Sequence, residues 1–380
     1  MKIVHILTHS IEIYKLTPAV FSKYDAYIHI YARISKELGY ESSVMYLSSS
    51  VKCPLTQVHK YGHLIIAYPV TFNRLMPRRG RFGHELSIAM VRDLIKNDAD
   101  IIHVHSYYLL MYDVIAMIVK KFGNKKIVAH YHGGEPSMLL NPFRILKRST
   151  LSLADKIVAI NRSEVKRLIS YWRIPSEKVV YIPNGVDTTL FRPLNSVGKS
   201  DNVILYVGNI VKDKGIDVLW KAYFRCKKRL KDLKLIIVGE GPLRRNLEKI
   251  VKLMGLSNSI KFLGRVAHEE LVKIYNVASV MVLPSRKEGL PLVLLEAMAC
   301  ETPVITTATE GAMDIVSHGI DGYLVPIGNV DKLADAIYTI ISNPELREQM
   351  GKNARKKVER KFSWDIVKRL LKKVYTSLAD

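Results

Sequence analysis

The sequence predicts an α/β protein made of two doubly wound parallel-sheet units in series. Three observations lead there. Apolar, β-branched runs alternate with amphipathic helical stretches along nearly the whole chain. The runs are apolar almost throughout rather than at every second residue, the mark of strands covered on both faces. The alternation breaks once, in "YIPNGVDTTLFRPLNSVGKSDN", which is rich in Pro, Gly, Asn and Ser.

Taken in order, the first half offers the strands "KIVHIL", "SSVMYL", "HLIIAY", "DIIHVH", "KIVAHYH", "KIVAIN" and "KVVYIP". The second half offers "NVILYVG", "LKLIIVG", "SIKFLG", "SVMVLP", "TPVITT" and "GYLVP". Residues 26–38 place Tyr27, Ile30, Ile34 and Leu38 near helical spacing, a face expected to pack on the first sheet. The last stretch has Ser363 as an N-cap, with Ile366, Leu370, Leu371 and Val374 along one side. The expected domains are residues 1–190 and 200–362, with residues 363–380 as a helix packing back on the first domain.

Composition narrows the class. The chain has 380 residues, 48% hydrophobic and 24% charged, as expected for two or three soluble domains. Cys53, Cys226 and Cys300 form no CxxC pair, so a reduced, cytoplasmic interior is the simpler reading. No charged-then-apolar leader precedes residues 3–7, so a signal peptide is not expected. The net charge is +23. Residues 1–200 carry 28 basic and 14 acidic side chains, a net +14, and residues 201–380 carry 30 and 21, a net +9. Such an excess suits polyanions: nucleic acid, anionic lipid or phosphorylated small molecules. A lysine-rich solvated surface explains most of it equally well.

The chemistry gathers after the strands of the second half. Gly208 ends one strand, and Lys214 with Gly215 opens the next helix. Gly239, Glu240, Gly241 and Pro242 end another strand and open another helix. Glu288 follows "SVMVLPS", and Glu296 stands about one turn into the helix after Pro291. A tight turn accounts for each glycine pair by itself, with Pro242 at a first helical position. Together, with Gly311, they make the carboxyl edge of one parallel sheet polar, glycine-rich and charged. That edge is where open sheets bind ligands, and here it suits a phosphorylated, hydroxyl-rich one. A glycine lets backbone approach a ligand closely, and a lysine meets phosphate as a point charge.

The runs "VGNIVKDKGIDVL", "LIIVGEGPLR" and "IKFLGRV…EELVKIYNVASVMVLPSRKEGLPLVLLEAMACETPVI" resemble the retaining glycosyltransferases of family 4, over nearly all of the second half. In the first half the resemblance rests on "DIIHVHS", "VAHYHGGE", "ADKIVAINRSE" and "IPNGVD". It implies the GT-B fold: two Rossmann-like domains facing across a cleft, a nucleotide-diphospho-sugar donor and no catalytic metal or other cofactor. It implies that Glu288 faces the donor sugar and Glu296 holds the ribose. The backbone N–H groups of Gly289 and Leu290, at a helix N-terminus, would meet the diphosphate, and Lys214 would stabilise the leaving group. It places His132, in "YHGGE", near the transferred sugar. The catalytic set implied is His132, Lys214 and Glu288. The donor-binding set adds Gly208, Gly239, Glu240, Gly241, Gly289, Leu290 and Glu296. The donor base, UDP, GDP or ADP, stays open, and Asp25 or Glu135 is a candidate for reaching the acceptor hydroxyl.

The sequence departs from the family in places. Asn209 stands where an arginine is usual, with Arg286, Lys287 or Lys212 as substitutes. "THSIEIYKLTPAVFSKYDAYIHI" holds no glycine where a Gly-Gly pair is usual, and offers Lys15, Thr17, Pro18 and Lys23 instead. His103, His105, His130 and His132 alternate on strands, but no carboxylate or cysteine joins them at ligand spacing, so a metal site is not expected. Two other functions compete. A GT-B nucleotide-sugar epimerase would need acid/base residues and no acceptor site, and the match at "KEGLPLVLLEAMA" disfavours it. A nucleic-acid-binding protein is suggested by charge alone, and no motif or stacking platform supports it. Finally, "LLNPFRILKRSTL" interleaves Phe143, Ile145 and Leu146 with Arg144, Lys147 and Arg148, and "PRRGRFG" adds three arginines. An apolar face beside a basic one suits an anionic bilayer surface. Peripheral attachment at the cytoplasmic membrane face, with a lipid or lipid-linked acceptor, is the resulting expectation.

Overall fold

A computed structural model describes residues 1–23, 26–72, 85–123, 125–133 and 141–379, the side chains of 141–143 excepted. Contacts divide the chain into two units: Met1–Ile182 with Lys368–Asp380, and Pro183–Val367. The Pro/Gly/Asn-rich stretch therefore folds with the second unit. The last helix, Trp364–Ala379, passes from the second unit into the first.

The first unit holds the strands β1 (Lys2–Ser10), β2 (Glu41–Ser48), β3 (Leu55–Val58), β4 (Leu64–Pro69), β5 (Ile101–His105), β6 (Lys126–His130), β7 (Lys156–Ala159) and β8 (Val179–Tyr181). They lie in the order β3-β4-β2-β1-β5-β6-β7-β8. Every pairing is parallel except β3 with β4. The strand β3, "LTQV", was not read from sequence. It is a short, largely exposed edge strand with no apolar run to announce it.

The second unit holds β9 (Val203–Val207), β10 (Lys234–Val238), β11 (Ile260–Gly264), β12 (Val280–Leu283), β13 (Val304–Thr307) and β14 (Gly322–Val325). Their order is β11-β10-β9-β12-β13-β14, all parallel. β9 and β12 are buried throughout, which is why their sequences show no alternation.

Each sheet has one switch point. In the first, the chain works outward from β1 through β2, then restarts on the other side at β5; in the second, β9 and β12 are the corresponding neighbours. The carboxyl ends of such strand pairs diverge and leave a crevice for ligand.

Two helix faces differ from the sequence expectation. The helix Tyr27–Glu37 buries Ile28, His29, Tyr31, Ala32, Ile34 and Ser35, and leaves Ile30 half-buried. Its inward face is partly polar because it packs on a histidine-bearing face of the sheet. In register, His5 lies beside His103, and His105 beside His130. An apolar-periodicity argument misses a face of that kind. The last helix buries Val367, Leu371, Val374, Tyr375 and Leu378, whereas Ile366 and Leu370 are half-buried. Ser363 precedes this helix, and its carbonyl accepts the first turn's N–H groups. Its hydroxyl donates backward to the Glu359 carbonyl at 3.2 Å.

Candidate active site

At the second switch point, β9 runs into Gly208 and then a 3₁₀ turn, Lys212–Lys214, closed by Gly215. Gly215 is left-handed (φ 68°), and a Cβ there would lie 1.9 Å from the Pro284 carbonyl oxygen. Only glycine meets both demands. Its absence of a side chain lets the loop after β9 lie directly on the loop after β12. That contact carries Lys214 Nζ to 2.7 Å from Glu288 Oε1, which also accepts from Ser285 Oγ at 2.6 Å. The lysine is about a third exposed and the carboxylate nearly covered (30% and 9%), so the pair opens toward solvent on its cationic side.

The other glycines serve the same purpose. A Cβ on Gly239 would sit 2.0 Å from the Gly208 carbonyl, one on Gly241 2.4 Å from that of Ile210, and one on Gly311 2.0 Å from that of Gly289. Their close approach is to neighbouring loops. Gly208 supplies the surface on which Gly239 packs. The carboxylate of Glu240 is committed to Arg244, which also holds Glu248 at 2.7 Å.

Glu296 is buried on the helix Leu292–Ala299. Oε1 pairs with His268 Nε2 at 2.9 Å, and Oε2 accepts from the Tyr275 hydroxyl at 2.8 Å. Each oxygen has a second lone pair, so the carboxylate can accept further hydroxyls without losing these partners. Burial, reinforced by Glu296, pushes the Tyr275 hydroxyl well above its ordinary range and keeps it a donor.

The helix starts at Leu292 with Pro291 as its N-cap, so Gly289 and Leu290 lie in the loop just before its N-terminus. Asn184 Nδ2 donates to the Leu290 carbonyl at 3.3 Å and holds this loop. Arg286, a candidate replacement for the cation missing at Asn209, grips Asp217 bidentately at 2.9 and 2.8 Å. Hydrogen bonding to Asp217 raises its already high pKa. Of the other candidates, Lys212 is exposed, and its carbonyl accepts from Arg286.

In the first unit, His132 follows β6, next to the switch point. Its Nε2 lies 2.6 Å from His105 Nδ1, and the Tyr27 ring packs 4.1 Å from it. Burial lowers His132 to about 3, with His9 adding to the effect, so it is neutral at pH 7. Burial and neighbouring histidines likewise keep His5, His105 and His130 well below the imidazole range.

Where the family's Gly-Gly pair was expected, the chain makes a 3₁₀ turn, Ile11–Tyr14, ended by Lys15 in the left-handed region (φ 60°). A short helix follows, Pro18–Phe21, capped by Thr17. Glu85 folds over the end of β1, accepting from the Ser10 N–H at 2.6 Å and the Ser10 hydroxyl at 2.8 Å. Ser106, just after β5, is also left-handed (φ 71°). Asp25, Glu135 and the arginines of "PRRGRFG" lie outside the described residues.

The sequence reading missed Ser285, Tyr275 and His268 as partners of the two glutamates, and His105 as the partner of His132. The last had a signal in the paired His-x-His patterns of β5 and β6. Among the described residues, three groups of histidines come within ligand reach of one another: His5/His103/His105, His29/His59/His63 and His105/His130/His132. Within these groups ring nitrogens face one another at hydrogen-bond distance: His5 Nδ1 and His105 Nε2 at 3.1 Å, His105 Nδ1 and His132 Nε2 at 2.6 Å, and His29 Nδ1 and His63 Nε2 at 3.0 Å.

Comparisons with known proteins follow the same architecture. The chain superposes on Anabaena HepE, solved in complex with UDP, with a TM-score of 0.76 at 19% identity over 99% of this chain and 100% of that one. Another structure of HepE holds UDP-glucose. The two doubly wound units make a GT-B fold, and the class is glycosyltransferase. Residues 27–190 match the profile of Glycosyltransferase Family 4, and residues 187–357 that of Glycosyl transferases group 1. An uncharacterized glycosyltransferase of Methanocaldococcus jannaschii is 32% identical over 72% of this chain and 82% of its own length. The GDP-mannose-dependent alpha-(1-6)-phosphatidylinositol monomannoside mannosyltransferase of Mycobacterium tuberculosis is 27% identical over 80% of this chain and 81% of its own. This chain belongs to the group 1, family 4 glycosyltransferases.

Proposed function

We propose that this chain is a retaining glycosyltransferase that moves a hexose-type sugar from a nucleotide-diphospho-sugar to a hydroxyl acceptor carried on a lipid or lipid-linked glycan. The observation that carries the reading is the Lys214–Glu288 pair at the second switch point. An ammonium and a carboxylate held 2.7 Å apart match the two ends of such a donor. On binding, the diphosphate takes Lys214, and Glu288 turns its lone pairs to the sugar hydroxyls. Each charge-assisted bond is worth about 1.5–3 kcal/mol. Glu296 receives the ribose hydroxyls beside Tyr275 and His268.

In the reaction, the bond from C1 to the phosphate oxygen breaks and its electron pair leaves with the diphosphate, where Lys214 stabilises the charge. The acceptor oxygen bonds to C1 on the same face, and its proton passes to the departing phosphate oxygen. Catalysis in this scheme uses no metal. UDP and UDP-glucose in the HepE complexes support a nucleotide-sugar donor.

The lipid reading has narrower support than the sequence offered. In the helix Asn141–Ser152, Lys147 is buried, with Nζ 2.7 Å from Asp113 and 2.8 Å from the Tyr107 carbonyl. It adds nothing to a basic surface. Arg144, Ile145 and Arg148 are exposed, and Ile145 at 69% is an apolar side chain between two cations. No helix among the described residues is long and apolar enough to cross a membrane. The reading is of peripheral attachment at a cytoplasmic membrane face. The Mycobacterium relative, named for a phosphatidylinositol monomannoside, supports an acceptor of this class.

The test is transfer from UDP-, GDP- and ADP-sugars to lipid extract in vesicles and to soluble glycosides, with excess EDTA. Turnover on the vesicle acceptor, undiminished by EDTA and with the anomeric configuration kept, is expected. Transfer only to soluble glycosides would overturn the lipid acceptor. Inversion at C1 would overturn the mechanism.

A further inference from the structure

The side chains behind His132 form a directed hydrogen-bond chain. The Ser35 hydroxyl, on the helix Tyr27–Glu37, donates to the Tyr31 carbonyl at 3.0 Å, one turn back. His5 Nε2 lies 3.0 Å from the same Ser35 oxygen. His5 Nδ1 lies 3.1 Å from His105 Nε2, and His105 Nδ1 lies 2.6 Å from His132 Nε2. Ser35, His5 and His105 are fully buried.

A neutral imidazole carries one N–H, and which nitrogen holds it is set by the partners. The serine has one proton, and its neighbours are the Tyr31 carbonyl, His5 Nε2 and the Tyr375 hydroxyl. The carbonyl can only accept; when it takes the serine proton, the serine oxygen is the acceptor for His5, which then holds its proton on Nε2. His5 Nδ1 is then bare and accepts from His105 Nε2–H. His105 Nδ1 is bare in turn and accepts from His132 Nε2–H. Each later step follows from that first one. The chain ends at a backbone carbonyl, which holds no proton to give and takes none. It therefore passes no proton onward, unlike a relay.

A second chain in the same layer reaches a different end. Tyr375 OH lies 2.7 Å from His103 Nδ1, and His103 Nε2 lies 3.0 Å from His130 Nδ1. His130 Nε2 has no hydrogen-bond partner among the described residues. Tyr375 also meets the Ser35 hydroxyl, so the two chains share that serine, and only the first continues to the histidine beside the switch point.

We propose that Ser35, His5 and His105 are positioning residues that lock His132 as the Nε2–H tautomer, presenting a bare Nδ1 as a hydrogen-bond acceptor for a hydroxyl of the transferred sugar. The acceptor role rests on the placement of His132 near the transferred sugar that the family resemblance implies, whereas the tautomer rests on the Ser35 hydroxyl donating to the Tyr31 carbonyl.

Nitrogen-15 spectra of histidine-labelled protein without donor, at pH 7.5, read the tautomer directly. His132 signals are assigned by their loss in His132→Ala. A protonated Nε2 and a bare Nδ1 are expected. Ser35→Ala should release the lock, so that both tautomers appear and kcat/KM falls roughly tenfold. Ser35→Thr keeps the hydroxyl and should restore both. His103→Gln, in the second chain, should leave the His132 tautomer unchanged. A wild-type His132 protonated on Nδ1 overturns the lock, and that spectrum needs no variant to fold. So does a natively folded Ser35→Ala with unchanged tautomer and turnover. If the tautomer is as expected but His132→Ala turns over normally, the placement of His132 fails and the lock stands.

Discussion

Lys214 Nζ and Glu288 Oε1 meet at 2.7 Å because Gly215 lets the loop after β9 rest on the Pro284 carbonyl of the loop after β12. Neither residue lines an apolar core, so both can be changed with the fold retained. Glu288→Gln and Lys214→Ala should each lower kcat/KM by about 10²–10³, the usual loss for one charge-assisted contact to a transition state. Steady-state transfer rates, beside circular dichroism, check this. Near-normal turnover in both variants would remove the donor site from this switch point.

Gly215→Ala should be harsher than either. A methyl group 1.9 Å from a backbone oxygen forces the two loops apart, and the left-handed φ adds strain. Activity should be lost together with some stability, read as a lower thermal midpoint. A variant with native midpoint and native turnover would contradict the loop-contact account.

Glu296→Gln should raise the donor KM about tenfold while kcat changes little. The amide oxygen still accepts from Tyr275, so that buried hydroxyl is not orphaned, while the charge is lost and an NH2 replaces the oxygen that faced His268. An unchanged KM would count against the ribose role.

These residues were legible because the second half carries its chemistry in short local patterns. Strand, loop and helix follow within about fifteen residues around Glu288, and the alternation of buried strands with helices set the order of elements. What was not legible depends on distant partners. Lys147 looks like a surface cation until Asp113, on another helix, is seen beside it. The inward face of the helix Tyr27–Glu37 carries His29, Tyr31 and Ser35, which periodicity discounts. The glycines announced close approach, but whether to a ligand or to a neighbouring loop is fixed only by the folded sheet. β3 has no apolar run and pairs at an edge.

The buried Lys147–Asp113 pair gives a test of the first unit. Burial pulls Lys147 below the ordinary lysine range, against the opposing pull of Asp113. Lys147→Met alone strands a buried carboxylate and should cost about 3–5 kcal/mol. Lys147→Met with Asp113→Leu removes both charges and should cost less than the single change. Urea denaturation of wild type, both single variants and the double variant measures the coupling, and additive costs would contradict a mutually dependent pair.

Acid should weaken the same unit. Burial holds His103 and the half-buried His132 at about 3, against an ordinary 6.5. Below pH 6.5 the unfolded chain takes up protons that the folded chain refuses. Their stabilisation is thus fully present above pH 6.5 and lost as pH falls toward 3, at about 1.4 kcal/mol per pH unit for each group. The thermal midpoint should drop between pH 6.5 and 5. Equal midpoints at pH 7.5 and 5 would contradict the buried, neutral histidine layer.

The central claim is that the crevice between β9 and β12 holds a nucleotide-sugar through Lys214. Calorimetric titration of wild type and Lys214→Ala with UDP-glucose, GDP-mannose and ADP-glucose tests it most directly. At least one donor should bind the wild type and lose tenfold or more in affinity in Lys214→Ala, as expected when about 1.4 kcal/mol of charge-assisted binding is removed. Binding of none of the three, or equal affinity for both proteins, would contradict the account.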